Sequence, residues 1–205
     1  MGNITSAVGR KLNAFSQKLA ENSLVKKIGA PSGAISAMLY FDQLPSAAEL
    51  TALLQDRLLG LDVYSSVYSN GRWVPVDIDV SKHVIEATVG SDAEMLAYCE
   101  AEMLKPLRNG PGAPLWEVHM ISNKQVALEG SIDGPRWGGR SMLFFRVEHA
   151  LGDGIALNQA LTRLATDQAG KPLPAATYSR PPKTGRRSLF ELFCAILSAA
   201  FKYAT

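Results

Sequence analysis

The stretch from Ser141 to Gly154 constrains this chain more than any other. Ser141-Met142-Leu143-Phe144-Phe145-Arg146-Val147 is a run of mostly bulky apolar residues, and Glu148-His149-Ala150-Leu151-Gly152-Asp153-Gly154 follows it directly. The run has the length and composition of a buried strand. The Asp-Gly pair marks a turn, and Ile155 to Asp167 reads as a helix with Ile155, Ala160, Leu161 and Leu164 inward. A strand that delivers an imidazole into a turn at its carboxyl end sets a proton acceptor where a rigid scaffold meets a loop. Strand alternation puts His149 on the face of Leu143, Phe145 and Val147, where partial desolvation favours the neutral ring, and puts Glu148 on the opposite face with Arg146. Asp153 either orients the imidazole, as the acid of a catalytic triad does, or braces the loop by pairing with an arginine elsewhere. Taken alone, His149 is either a structural or a catalytic histidine.

The remaining chain alternates strand and helix signals. Ala34 to Asp42 reads as a strand, and Ser46 opens a helix through Leu59 with Glu49 at capping-box spacing. Val63 to Tyr68 and Arg72 to Val76 flank Asn70-Gly71, a hairpin signal. Asp92 to Leu104 reads as a helix, with Met95, Leu96, Cys99, Met103 and Leu104 as its apolar face. Trp116 to Ile121 and Gln125 to Leu128 read as strands, and Gly130 to Gly139 as a flexible loop carrying Trp137. That loop lacks the placement and fingerprint of a phosphate cradle. These elements describe an α/β (α+β two-layer) domain, a mixed sheet with helices on one face.

Composition narrows the function classes. A net charge of +2 over 205 residues argues against a dedicated nucleic-acid surface. Cys99 and Cys194 lie far apart without metal-ligand spacing and read as buried thiols in a reducing compartment. His83, His119 and His149 are widely separated in sequence and lack cysteine partners, so no metal site is expected.

His149-xxx-Asp153-Gly154, set between a strand and a helix, resembles the active-site motif His-His-xxx-Asp-Gly of the wax ester synthase/diacylglycerol acyltransferase family, within the CoA-dependent acyltransferase superfamily. Pro114-Leu115-Trp116, followed by Glu117, resembles that family's Pro-Leu-Trp motif and stands about thirty residues before the histidine, at the start of another strand. The Asp-rich stretch from Val76 to Val84, ending in His83-Val84, is similar to a third family segment. The resemblance covers roughly residues 42 to 175. It implies a chloramphenicol-acetyltransferase-like fold, of which this chain would be the amino-terminal half. His149 would be the general base, Asp153, Gly154 and Glu148 the structural part of the motif, and acyl-CoA a substrate with no cofactor. Glu148 stands where the family has its first histidine. Family members place the acyl channel between two similar halves, so the opposing wall would come from a second half or a second copy. Half of a peptide-synthetase condensation domain shares the His-xxx-Asp-Gly motif, but Pro114-Leu115-Trp116 argues against it.

Both ends of the chain carry membrane signals. Met1-Gly2-Asn3-Ile4-Thr5-Ser6 fits the pattern for N-myristoylation of Gly2. Ile4, Val8, Leu12, Phe15 and Leu19 form one narrow apolar stripe at helical spacing, flanked by Lys11 and Lys18, which either contacts a membrane or packs on the domain's own core. Residues 168 to 187 read as a linker, and Ser188 to Ala204 as an apolar interfacial or docking helix, too short for a confident membrane span and carrying two charges. The expected domains are therefore an amphipathic arm (1–30), an acyltransferase-like domain (31–170), and a linker with an apolar helix (171–205). The expected protein is a peripheral enzyme on the endoplasmic reticulum, plasma membrane or a lipid droplet, esterifying a fatty alcohol or diacylglycerol. The alternative is a non-catalytic, membrane-associated half-domain that holds lipid or protein.

Overall fold

The structure, a computed structural model, describes residues 9–12, 14–21, 33–108, 112–125, 140–167, 171 and 173. Its order is β1 (Arg10–Lys11), α1 (Ala14–Ala20), β2 (Ala34–Phe41), α2 (Ala47–Arg57), β3 (Ser66–Ser69), β4 (Arg72–Pro75), a 3-10 turn (Val80–His83), β5 (Val84–Val89), α3 (Asp92–Met103), β6 (Trp116–Asn123), β7 (Ser141–Glu148) and α4 (Gly154–Leu164). The strands make a four-stranded sheet in the order β2-β7-β6-β5 and a three-stranded sheet in the order β1-β4-β3.

Pairing in the larger sheet is antiparallel between β2, β7 and β6, and parallel between β5 and β6. A parallel pair cannot be joined by a tight turn, so the chain crosses from β5 to β6 through α3. That crossover lays α3 on one face of the sheet, where Met95 and Cys99 meet Val89, Ile121, Met142 and Phe144. The opposite face presents Trp116, Val118 and Met120 of β6 with Leu143, Phe145 and Val147 of β7, covered by Leu50 and Leu54 of α2 and Leu157 and Ala160 of α4. The mixed sheet with packed helices is thus present, and α3 adds a layer on the face that the two-layer reading left open. Because β6 and β7 are covered on both sides, their buried residues run continuously instead of alternating.

Local signals explain the element ends. Ser46 caps α2 with a complete capping box: its side chain accepts from the Glu49 amide, and the Glu49 carboxylate accepts from the Ser46 amide. Asn70 and Gly71 turn the β3–β4 hairpin at φ 47° and 75°, the two positive angles a type I′ turn needs. The α3 face is corrected by the structure. Leu96, Met103 and Leu104, expected inward, are exposed, while Glu102 is 2% exposed and turned inward. In α4, Leu157 and Ala160 are buried, Leu161 and Leu164 pack against the core from its margin, and Ile155 is exposed.

The stripe of apolar residues near the start does not form one helix. Gly9 to Lys11 run extended and pair with β4, with Lys11 opposite Arg72 and Arg10 opposite Trp73, before α1 begins. Leu12 and Leu19 are buried in the main core beside Trp73, so they belong to the domain and not to a membrane-facing stripe. Among the described residues no helix is long and apolar enough to cross a membrane. Gly2, Ile4, Val8, Cys194, Trp137, all but Gln125 of the strand expected over Gln125 to Leu128, the Gly130 to Gly139 loop and the 188–204 helix lie outside the described residues.

Gly9 is where the arm comes closest to the domain: a Cβ added there would lie 2.0 Å from the Trp73 carbonyl oxygen. Gly9→Ala is expected to peel β1 from β4 and lower unfolding free energy by about 1–3 kcal/mol. Urea denaturation would measure that loss. Hydrogen exchange should show the Leu12 amide, now bonded to the Gly71 carbonyl at 3.0 Å, losing protection ahead of the sheet.

Candidate active site

The expected base, His149, sits one residue beyond β7, in a turn, and is half-buried. Alternation therefore reaches only to Glu148, and backbone bonds place the histidine. Its amide donates to the Gly33 carbonyl at 3.1 Å, and the Leu151 amide closes the turn on the Glu148 carbonyl at 2.9 Å. The Glu148 amide donates to the Leu115 carbonyl at 2.9 Å. Three segments distant in sequence, around Gly33, Leu115 and His149, thus meet at one end of the sheet. The Pro-Leu-Trp segment and the His-xxx-Asp-Gly turn are neighbours there.

Asp153 is the N-cap of α4. Its carboxylate accepts from the amides of Ile155 and Ala156, both at 3.0 Å, satisfying donors that a helix start leaves open. It braces the loop through backbone amides; the arginine partner considered in the sequence reading is absent among the described ion pairs. Gly152 is sterically required, since a Cβ there would lie 2.4 Å from the Ala156 Cβ. Gly154 has open space around it and is free of that demand.

Trp116 is fully buried and anchors the segment before β6. Its indole N–H donates to the Tyr64 carbonyl at 2.9 Å, and its ring stacks on His83 with centroids 4.3 Å apart. The His83 Nδ1 lies 2.7 Å from the Trp116 carbonyl oxygen. Burial lowers the His83 pKa, favouring a neutral ring whose Nδ1–H donates to that carbonyl. The resemblance over Val76 to Val84 therefore has a structural counterpart: it supports the tryptophan.

On the α3 face lies a set of charged residues that the sequence reading missed. Glu117, His119 and Arg146 are fully buried, and Glu102 nearly so. Arg146 donates through Nη1 to Glu117 and through Nη2 to the Lys105 carbonyl. The second Glu117 oxygen accepts from the Arg108 amide at 2.7 Å. His119 sits between Glu117, 2.9 Å from Nε2, and the Tyr98 hydroxyl, 2.8 Å from Nδ1. Burial by itself would raise the Glu117 pKa, but the hydrogen bonds from His119 and the Arg108 amide, with the Arg146 charge, outweigh it and lower the value. Glu102 follows the same logic, held low by Lys105 and Arg108 against burial. Ligand-type atoms of Glu102, Glu117 and His119 lie within 4.8 Å of one another. Yet Arg146, Lys105 and Arg108 already occupy the electrostatic place that a metal ion would take. The local hint was three ionisable residues, Glu117, His119 and Arg146, in the interior of two largely apolar strands.

Cys99 is buried, and burial pushes its thiol up to about 11, which makes it unreactive near neutral pH. Glu148 differs from the other buried acids. It is 7% exposed, one carboxylate oxygen has no hydrogen-bond partner, as is also true of Glu102, and its pKa moves the other way. Burial raises its pKa, and the nearby Arg146 offsets that only in part.

Two predictions follow from these caps and carboxyls. Asp153→Ala removes the acceptor for two amides and is expected to cost about 1 kcal/mol in urea denaturation. Glu148 has its pKa raised in the folded state, so its contribution to stability is fully present below the ordinary value of 4.5 and is lost as pH rises through the folded value. The stability of Glu148→Gln minus that of the parent should therefore grow from pH 4 to pH 8. A difference that stays flat across that range would contradict the raised pKa.

No family model matches the chain. A sequence match reaches the wax ester synthase/diacylglycerol acyltransferase 2 of Arabidopsis thaliana, at 24% identity over 157 residues, covering 70% of this chain and 30% of that protein. Among solved structures, the starter condensation domain of the rhizomide synthetase superposes with a TM-score of 0.57 at 13% identity, over 97% of this chain and 45% of that one. The first condensation domain of the calcium-dependent antibiotic synthetase, solved with a substrate analogue, gives 0.55 at 15% identity, over 97% and 44%. A variant of the rhizomide domain in complex with C8-CoA gives 0.51 at 15% identity, over 77% and 35%. The chain spans less than half the length of these proteins. It carries a chloramphenicol-acetyltransferase-like half-domain fold, shared with under half the length of these condensation domains, and in sequence it is similar to part of a wax ester synthase/diacylglycerol acyltransferase.

Proposed function

We propose that this chain is the amino-terminal half of an O-acyltransferase that moves a long-chain acyl group from acyl-CoA to a fatty alcohol or diacylglycerol, with His149 as general base. The observation that carries the reading is the meeting of the His149 turn with the Pro114-Leu115-Trp116 segment, through the Glu148 amide on the Leu115 carbonyl. Both motifs of the resemblance thus lie at one end of one sheet. The match to the Arabidopsis wax ester synthase/diacylglycerol acyltransferase 2 supports the substrate class.

The chemistry suits a lone histidine. The thioester is already activated, so no nucleophilic serine or cysteine is needed. His149 takes the proton from the acceptor hydroxyl as its oxygen attacks the thioester carbonyl. The tetrahedral intermediate expels the CoA thiolate, which takes the proton from the imidazolium, giving ester and free CoA. The α4 cap at Asp153 and the bond from His149 to Gly33 hold the turn while this happens. An opposing wall from a second half, or from a second copy, would enclose the acyl chain. Acylation of Gly2 would hold the enzyme at the membrane where such acceptors reside.

A second reading, a non-catalytic half-domain that binds lipid or protein, is favoured by one observation: Glu148 replaces the first histidine and buries a carboxyl with an unpartnered oxygen. Radiolabelled palmitoyl-CoA with hexadecanol or diacylglycerol separates the two. The acyltransferase reading expects ester from the full chain, falling about 10²- to 10⁴-fold in His149→Ala. Folded protein that yields no ester, alone or with a carboxyl-terminal half supplied in trans, would leave the binding module. Ester or amide formed only from a carrier-protein thioester would instead point to condensation-domain chemistry.

A further inference from the structure

We propose that Glu117 and Arg146 are positioning residues for His149, and that this is the function of the glutamate that extends the Pro-Leu-Trp segment. The proposal rests on the reading of His149 as the base.

Glu117 and Arg146 face each other directly across β6 and β7. The neighbouring pair, Trp116 with Val147, is flanked by two ties: the Glu148 amide on the Leu115 carbonyl on one side, and the Arg146 guanidinium on the Glu117 carboxylate on the other. Both ties fall within three residues of His149. The same two side chains also hold the segment after α3, because Arg146 donates to the Lys105 carbonyl and Glu117 accepts from the Arg108 amide. The strand end that carries His149 is thereby fixed against β6 and against the end of α3.

Stability alone does not call for this arrangement. A buried ion pair is often no better than apolar residues of the same volume, and here the Arg146 Nε and one Glu102 oxygen are left without hydrogen-bond partners. What the pair adds is direction. A guanidinium is a rigid fork, so two acceptors on different segments admit one placement of β7. A slip of one residue would turn Arg146 onto the face of Leu143, Phe145 and Val147 and leave it unpaired among apolar side chains. An apolar pair would tolerate small displacements that a proton-transfer distance does not.

The test compares full-length Arg146→Met, Arg146→Lys and Glu117→Gln with Leu54→Ala, a core variant on the opposite face of the sheet. Thermal unfolding, ester-forming kinetics and the His149 ring signals in NMR, assigned by their loss in His149→Ala, are measured on each. Arg146→Met is expected to lower kcat at least tenfold with KM little changed and to shift the His149 signals, and Arg146→Lys to recover part of both. Leu54→Ala, with an equal or larger fall in melting temperature, should leave kcat and the His149 signals as they are. A folded Arg146→Met protein with parental His149 signals would overturn the proposal. So would Leu54→Ala shifting those signals as far, because the effect would then follow stability. Should Arg146→Met fail to fold, Arg146→Lys and Glu117→Gln decide by the same readouts. The NMR arm needs no turnover: a folded parent that yields no ester, alone or with a carboxyl-terminal half supplied in trans, refutes the catalytic reading, whereas unmoved His149 signals refute the positioning.

Discussion

The structure depends on β6 and β7 being buried on both faces. Once the central strands are covered twice, every polar group on them needs a partner supplied by the protein. On the α2 and α4 face this is avoided, since Trp116, Val118, Met120, Leu143, Phe145 and Val147 carry little that is polar beyond the Trp116 indole, which bonds to Tyr64. On the α3 face it is met by charge against charge. Glu117, His119 and Arg146 draw in Glu102, Tyr98 and the backbone of Lys105 and Arg108. The crossover helix is therefore held by apolar contact through Met95 and Cys99 at one part of its length and by ion pairing near its carboxyl end.

This arrangement explains which parts of the fold were legible from sequence. Features set by neighbours in the chain could be read: the Ser46–Glu49 capping box, the Asn70-Gly71 hairpin, and a break between β7 and α4 at the Asp153-Gly154 pair. Features set by distant partners could not. Leu96 and Met103 recur at helical spacing in α3, yet Glu102 points inward, where the Arg146 guanidinium of β7 lies 3.9 Å from its carboxylate. Leu12 and Leu19 have the spacing of one amphipathic helix, yet Gly9 to Lys11 are taken up by an edge of β4, and the helix starts only at Ala14. Periodicity reports which residues are apolar, and the partner decides what covers them.

The candidate site divides in the same way. His149, Asp153, Gly154 and the Pro114-Leu115-Trp116 segment stand out as local patterns, whereas the steric demand at Gly152 does not. The Asp153 cap is the ordinary work of an Asp before a helix, which the alternatives of triad acid and arginine brace passed over. The Glu117–Arg146 pair spans 29 residues of sequence and has no local signature. Its trace was the presence of a glutamate, a histidine and an arginine inside apolar strands, residues that a solvated face would make unremarkable and a doubly covered sheet does not.

The geometry of the turn also bears on how a half-domain of this kind could act. The amides of Glu148, His149 and Leu151 are committed to Leu115, Gly33 and Glu148, and those of Ile155 and Ala156 to the Asp153 carboxylate. An oxyanion beside His149 needs donors about 3 Å away. The amides that hold the turn in place cannot also serve as those donors without releasing it. Under the acyltransferase reading, oxyanion donors therefore come from the Ala150 amide, from the short Gly152–Gly154 stretch or from whatever forms the opposing wall. The rigidity that presents the imidazole and the stabilisation of the charge it creates would then reside in different parts of the complete enzyme. A first half could be well folded, correctly ordered at His149 and still depend on a second to turn over.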